Sequence, residues 1–281
     1  MIRTKIIFFS LILLMGSGGN KLAAQTDYSF SILVEEYGEP SSMPDFVGDF
    51  SYILTSPARI NKENLLVLGA FSTITTALMI GVDTPIYSKS KEIRPSSYNL
   101  MATPGRFYDA VDPNLFALGS SSLFIGAGYL FNDRKLARTG WTAAEAIIFT
   151  QMTTGLIKTI FGRERPFVED GNLDFDPLEF DSGSTNHSMP SGHTSKIFAL
   201  STVIASSYDS PWVRIPAYAM AGSVAVQRIE SHKHWITDVV VGGALGYLMG
   251  RALAHKNGLV KSNARLYPVV KGGLVGLNIQ F

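Results

Sequence analysis

The sequence predicts an all-α protein, a helical bundle of about six core helices. Three observations carry that reading. Two runs of helical length, residues 64–82 and 113–132, lack any charged residue. A third long apolar segment, 141–161, carries Glu145 within it. Strand periodicity is confined to the C-terminal residues, where Leu277, Ile279 and Phe281 alternate with Asn278 and Gln280. The 281 residues are 46% hydrophobic and 17% charged, enough for a sizeable core and unlike a disordered chain. A formal charge of +1 gives no basic steering toward nucleic acid. The absence of cysteine excludes disulfides, thiolate nucleophiles and cysteine metal sites.

Taken in order, the chain opens with an export signal over residues 1–24. Arg3 and Lys5 precede an apolar core from Ile6 to Met15, and Leu22-Ala23-Ala24 offers small residues for cleavage before Gln25. Leu22 is a poor residue three places before the cut, and an uncleaved anchor is the alternative. Residues 1–24 hold three Lys or Arg and no acid, so their removal leaves 21 basic against 23 acidic residues. The implied location is the periplasm or cell envelope. Residues 25–60 form a lead-in segment, with a short amphipathic helix expected within 45–59. Asn61-Lys62-Glu63 then caps the first long helix. Residues 83–112, with Pro85, Pro95, Pro104 and Gly105, read as loop-rich, and 133–138 as a charged connector. Further helices are expected at 194–208, 213–227 and 234–254, closing a helical domain over 61–256. The tail, 257–281, suggests a small β-hairpin around Gly272-Gly273.

A membrane span needs roughly 20 apolar residues. Only 64–82 and 113–132 approach that. If 64–82 were the first span of an exported chain, Arg134, Lys135 and Arg138 would lie outside, against the positive-inside bias. The sequence therefore favours an exported bundle, soluble or resting on a membrane surface.

The chemistry lies around Pro190-Ser191-Gly192-His193, a tight turn that delivers a histidine onto a helix start. Unpaired N–H groups and the helix dipole suit such a start to an anion. Upstream, Lys158 and Arg165-Pro166 stand seven residues apart, close to two helical turns. Gly162 and Pro166 predict fraying that lets Arg165 turn toward the site. A lysine point charge and an arginine fork together suit a phosphate. Downstream, Arg228 is followed by His234 and, at i+4, Asp238. Ser231 signals a break between two helices, which puts His234 and Asp238 one turn apart on a single face. A carboxylate on one imidazole nitrogen leaves the other free to attack. Gly242, Gly246 and Gly250 follow at four-residue spacing and read as helix packing. The linker 167–189 holds six acids and no Lys or Arg; it reads as a solvated surface loop, with a lid or cation-binding loop over the site as the alternative. His187 and His232 lie near the motifs, but three converging cations oppose a metal, and none is expected.

Lys158-x6-Arg165-Pro166, Pro190-Ser191-Gly192-His193 and Arg228-x5-His234-x3-Asp238 together resemble the type 2 phosphatidic acid phosphatase superfamily. Gln227 stands where the family pattern has Ser. The resemblance implies a helical bundle and a phosphatase that hydrolyses phosphate monoesters without metal or other cofactor. Lys158, Arg165, Arg228 and the N–H groups around Ser191 and Gly192 would bind phosphate. His234 would attack phosphorus to give a phosphohistidine, Asp238 would orient it, and His193 would be the general acid. The substrate would be a phosphorylated lipid or a small phosphate ester. Two rival readings share the motifs: a vanadium-dependent haloperoxidase, and an inactive phosphate-binding envelope protein.

Overall fold

The structure is a computed structural model. It describes residues 43–92, 101–178, 180 and 185–260, together with the backbone of 265–271 and 274–280. The signal peptide expected at 1–24 lies outside the described residues.

Residues Ser41–Leu259 form one compact unit, and it is helical. Helix α1 (Phe46–Leu54) is capped by Asp45, whose Oδ1 accepts from Gly48 N at 3.0 Å. Asn61 caps α2 (Lys62–Leu78) in the same way, as its position before the apolar run predicts. A π-helical turn, Met79–Asp83, joins α2 to α3 (Thr84–Glu92). The expected loop-rich stretch after Val82 is thus corrected in two places. The helix continues to Glu92, and α4 (Thr103–Ala110) follows. Pro104 occupies a first-turn position, where a missing N–H costs nothing, whereas Pro85 falls just after the π-helical turn, inside a helical run continuous from Lys62 to Glu92.

Asp112 caps α5 (Pro113–Leu130), accepting from Asn114 N and Leu115 N. Asp133 caps α6 (Arg134–Phe161), so the expected charged connector is the first turn of that helix. At about 1.5 Å per residue its 28 residues span roughly 40 Å. Helices α7 (Gly192–Ser207), α8 (Pro211–Glu230) and α9 (Ile236–Lys256) complete the bundle. The break between α8 and α9 stands as expected, but Ser231 ends α8 rather than starting α9. Trp235 holds the N-cap position of α9.

Helix α7 is the hub, packed against α6, α8 and α9. Backbones approach closely there because the facing positions are small. A Cβ on Gly246 would lie 2.1 Å from Ser195 O, and one on Gly242 would lie 2.6 Å from Ser191 O. The glycine spacing therefore does pack helices, and it locks the start of α9 against the start of α7. The core is rich in alanine and threonine, such as Ala143, Ala199, Thr150 and Thr202. Many large apolar side chains face outward instead: Leu66 and Leu123 are 74% exposed and Trp212 89%. Small residues between helices with bulky ones outside is the pattern of helices packing within lipid. Residues Lys62–Glu92 and Ile236–Lys256 are each long and apolar enough to cross a membrane.

Strands β1 (Arg265–Lys271) and β2 (Leu274–Gln280) pair antiparallel, with Arg265 opposite Gln280 and Lys271 opposite Leu274.

Candidate active site

One end of the bundle gathers the chemistry, because four helix termini meet there. These are the last turns of α6 and α8 and the first turns of α7 and α9. Gly162 ends α6 in the left-handed conformation at φ 55°. A side chain there would run into the Asp176 carbonyl at 1.7 Å, so glycine alone fits the turn. The chain then reverses, and Lys158 and Arg165 meet. Both donate to the His187 carbonyl, and Arg165 Nη1 also donates to Lys233 O at 3.1 Å. Arg165 Nε is buried without a hydrogen-bond partner among the described residues. Burial and the neighbouring Arg165 push the Lys158 ammonium down to about 8.

His234 stands between α8 and α9 and is buried. Its Nδ1 lies 3.5 Å from Ser188 Oγ and 3.7 Å from Asp238 Oδ2. The direct histidine–carboxylate bond expected from the i+4 spacing is therefore looser than a hydrogen bond. The Ser188 hydroxyl donates to Asp238 Oδ2, beside the ring. Asp238 Oδ2 also accepts from Trp235 N at 2.8 Å, which caps α9 and fixes the carboxylate. Burial pushes His234 down to about 4, with Asp238 acting against that shift. The ring is neutral at physiological pH, with Nε2 left for the pocket.

Behind Asp238 lies a network that the motif spacing did not reveal. Arg163 is fully buried. Its Nη1 donates to Asp238 Oδ1 at 2.6 Å and to Thr237 Oγ1 at 2.8 Å, and its Nη2 donates to Asp83 Oδ2 at 2.7 Å. Asp83 in turn accepts from Thr237 N and Oγ1. The carboxylate that steadies His234 is thus anchored to the π-helical turn after α2. A π-turn inserts one extra residue per turn and commonly marks functional places in helices. The first part of the acidic linker belongs to the same construction. Arg163 pairs with Phe175 in a β-bridge, Asn172 O accepts from Arg163, and Asn172 Nδ2 donates to Met79 O. That part is pinned at Asn172 and Phe175, while Glu169, Asp170 and Asp176 stay exposed to solvent.

His193 stands at the first turn of α7 and is partly open to solvent. Its Nε2 lies 3.4 Å from Asp109 Oδ1, and Asp109 Oδ2 lies 2.6 Å from Arg228 Nη2. Gln227 Nε2 reaches the same carboxylate at 3.3 Å, so the residue departing from the family pattern has a structural role. Lys196, one turn beyond His193, donates to Asn114 Oδ1. Burial first, then Arg228, Lys196, His234 and Lys158, push His193 well below its ordinary value.

Seven of the eight expected residues come together as read: Lys158, Arg165, Gly192, His193, Arg228, His234 and Asp238. Ser191 needs correction. Its N–H is donated to Asp238 O at 2.9 Å, and its hydroxyl pairs with Thr194 Oγ1 at 3.0 Å in full burial. It joins the starts of α7 and α9 rather than offering its N–H to an anion. Sequence reasoning missed Asp83, Asp109, Arg163 and Ser188. Two left a trace, since Asp83 closes a charge-free run and Arg163 sits between Lys158 and Arg165.

A helical bundle that turns two histidines and three cations into one pocket has the form of a phosphoryl-transfer catalyst. Residues 139–259 match the family model of the PAP2 superfamily. A Porphyromonas gingivalis protein named lipid A 1-phosphatase is 38% identical over 85 residues, which is 30% of this chain and 19% of that protein. The match thus takes in about a fifth of that relative's length. Among solved structures, Aquifex aeolicus LpxE is 19% identical, with a TM-score of 0.46 over 63% of this chain and 96% of that one. A transmembrane PAP2-type phosphatidylglycerolphosphate phosphatase from Bacillus subtilis is 21% identical, with a TM-score of 0.44 over 78% and 99%.

Proposed function

We propose that the protein is a metal-independent phosphatase that hydrolyses phosphate monoesters of lipids at a membrane, through a phosphohistidine. One observation carries this reading: Lys158, Arg165 and Arg228 converge beside a neutral, buried His234 backed by Asp238. The cations would hold the non-bridging phosphoryl oxygens, where transition-state charge is greatest. His234 Nε2 would attack phosphorus in line, with Asp238 and Arg163 holding the ring's other side. His193 would protonate the leaving oxygen and then take a proton from the attacking water.

The outward-facing leucines of α2, α5 and α9 favour a lipid substrate over a small soluble ester. They also favour a bundle seated in a membrane through 62–92 and 236–256, in place of the bundle, soluble or resting on a membrane surface, that the charge pattern suggested. Export to the periplasm or cell envelope remains part of the reading, resting on the N-terminal sequence. The name of the Porphyromonas gingivalis relative, a lipid A 1-phosphatase, supports a glycolipid phosphate as the first substrate to try.

The test is phosphate release from dispersed lipid A, phosphatidic acid and p-nitrophenyl phosphate by detergent-purified protein. Chelator is expected to leave turnover intact and vanadate to compete. Loss with chelator that returns with added metal would refute the metal-free mechanism. Absence of turnover on every ester would refute the enzyme itself.

A further inference from the structure

The general acid has an electrostatic difficulty that the three motifs do not solve. His193 must carry a proton to give to the leaving oxygen. Yet Arg228 faces it from α8, Lys158 from α6, Lys196 from its own helix and His234 from the loop before α9, while the ring of Tyr108 lies edge-on at 6.1 Å. Among these groups Asp109 on α4 is the acid. Its carboxylate stands 3.4 Å from His193 Nε2 and 2.6 Å from Arg228 Nη2, and it is 39% exposed, at the mouth of the site.

We propose that Asp109 is the positioning residue for the general acid, holding His193 protonated and aligned with Arg228 until the leaving oxygen takes the proton. This rests on the phosphatase reading above. The geometry suits a transient role. A separation of 3.4 Å is an ion-pair distance rather than a short hydrogen bond, so the Nε2 proton is favoured by charge without being locked away. As the bond from His234 Nε2 to phosphorus forms, the P–O bond to the leaving group breaks and its electron pair stays on that oxygen. The His193 proton passes to the same oxygen, a neutral alcohol departs and His193 is left neutral. Water then attacks phosphorus and gives a proton to His193. The N–P bond breaks with its electron pair returning to His234, and the starting state is restored.

Asp109 belongs to neither the turn, the Lys-x6-Arg segment nor the Arg-x5-His segment. It reaches the site because Gly105 lets α4 lie against α8: Gly105 N donates to Ser223 Oγ at 2.8 Å, and a Cβ there would meet Ser223 O at 2.5 Å. Gln227 Nε2 donates to Asp109 at 3.3 Å while its Oε1 accepts from Arg228 Nε at 2.6 Å, so it steadies the carboxylate and the guanidinium together from the α8 side.

The experiment compares leaving groups. Full-length protein in detergent is assayed on p-nitrophenyl phosphate, whose leaving group departs readily as an anion, and on dodecyl phosphate, whose alkoxide needs a proton. Asp109→Asn is expected to lower the dodecyl-to-nitrophenyl ratio of kcat/KM by about tenfold or more, within the range of general-acid effects. Asp109→Glu, which keeps the charge, is expected to hold the ratio near the parent value. An unchanged ratio in Asp109→Asn would overturn the proposal, whatever the absolute loss. So would equal falls in the ratio for both variants, because that marks a packing role. A gain on both substrates would also overturn it, identifying Asp109 as a competitor of phosphate for Arg228. If the parent protein hydrolyses neither ester, the phosphatase reading fails instead, which is a distinct result. Circular dichroism and thermal unfolding of each variant confirm that the ratio is read on folded protein.

Discussion

The two histidines of the site sit in opposite surroundings. The side chain of His234 is 3% exposed, and behind it stands a chain of buried charges, Asp238, Arg163 and Asp83. The side chain of His193 is 31% exposed, and its acidic neighbour Asp109 is more open still, at 39%. The difference matches the two proposed roles. A nucleophile must attack from one direction, and a ring wedged among fixed dipoles cannot turn away. A general acid must exchange protons with a departing oxygen and then with water, so it needs an open side. The sealed flank is also tied to the π-turn between α2 and α3, within a segment long and apolar enough to span a membrane. Asp83 therefore links the seat of that segment to the ring proposed as the nucleophile.

The comparison can be broken by mutation, and the largest effect is expected at the nucleophile. His234→Ala should lower kcat by at least about a thousandfold while leaving the unfolding midpoint near the parent value. Turnover within tenfold of the parent would remove His234 from that role. Next comes Arg163→Met, which leaves the Asp83 and Asp238 carboxylates buried without their common cation. The expected loss of stability is about 3–5 kcal/mol, read by denaturant unfolding in detergent. A loss below about 1 kcal/mol would mean that the network is not sealed.

The pH dependence sharpens the comparison further. His234 must be neutral to attack, and its value of about 4 makes kcat/KM rise through that pH. Lys158 must be charged to hold phosphate, and its value of about 8 makes kcat/KM fall as pH climbs through that point. On p-nitrophenyl phosphate, whose leaving group needs no proton from His193, a bell with limbs near these values is expected for the free enzyme. Lys158→Arg, with a cation that stays charged, should shift the alkaline limb upward by a unit or more. The smallest effect tests the packing that brings the flanks together. Gly246→Ala places a methyl 2.1 Å from the Ser195 carbonyl and should cost about 1–3 kcal/mol. Gly155→Ala on α6 meets nothing within 4 Å and should stabilise by up to about 1 kcal/mol. Similar midpoints for the two variants would show that the α7–α9 contact is softer than described.

How much of this was legible varies along the chain. Lys158, Arg165, His193, Arg228, His234 and Asp238 could be named from spacing, because each sits near a helix end that its own neighbours announce. Gly162, Ser231 and the Pro-Ser-Gly turn are local signals, and the helix ends they mark were found within a few residues. The loop-rich reading after Val82 missed two helices, since Pro85 and Pro104 look like breakers: Pro104 in fact sits in a first turn, and Pro85 follows a π-helical turn in a helix that runs on. The charged stretch 133–138 was separated from α6 because charge in a first turn looks the same as charge in a connector.

The sequence by itself determined an all-helical bundle, the three motifs and the type of chemistry they carry. Those depend on short-range rules of capping, turn residues and spacing along the chain. The tertiary structure alone brought in the carboxylates outside the motifs. Asp83, 155 residues from Asp238 in the chain, is tied to it through Arg163, and Asp109, 84 residues from His193, lies 3.4 Å from its ring. The same holds for Ser191, whose N–H is taken by the Asp238 carbonyl rather than left for an anion. Hydrogen bonds and ion pairs depend on distance in space, and helix packing sets that distance through small residues such as Gly105 and Gly246, whose partners no local pattern names.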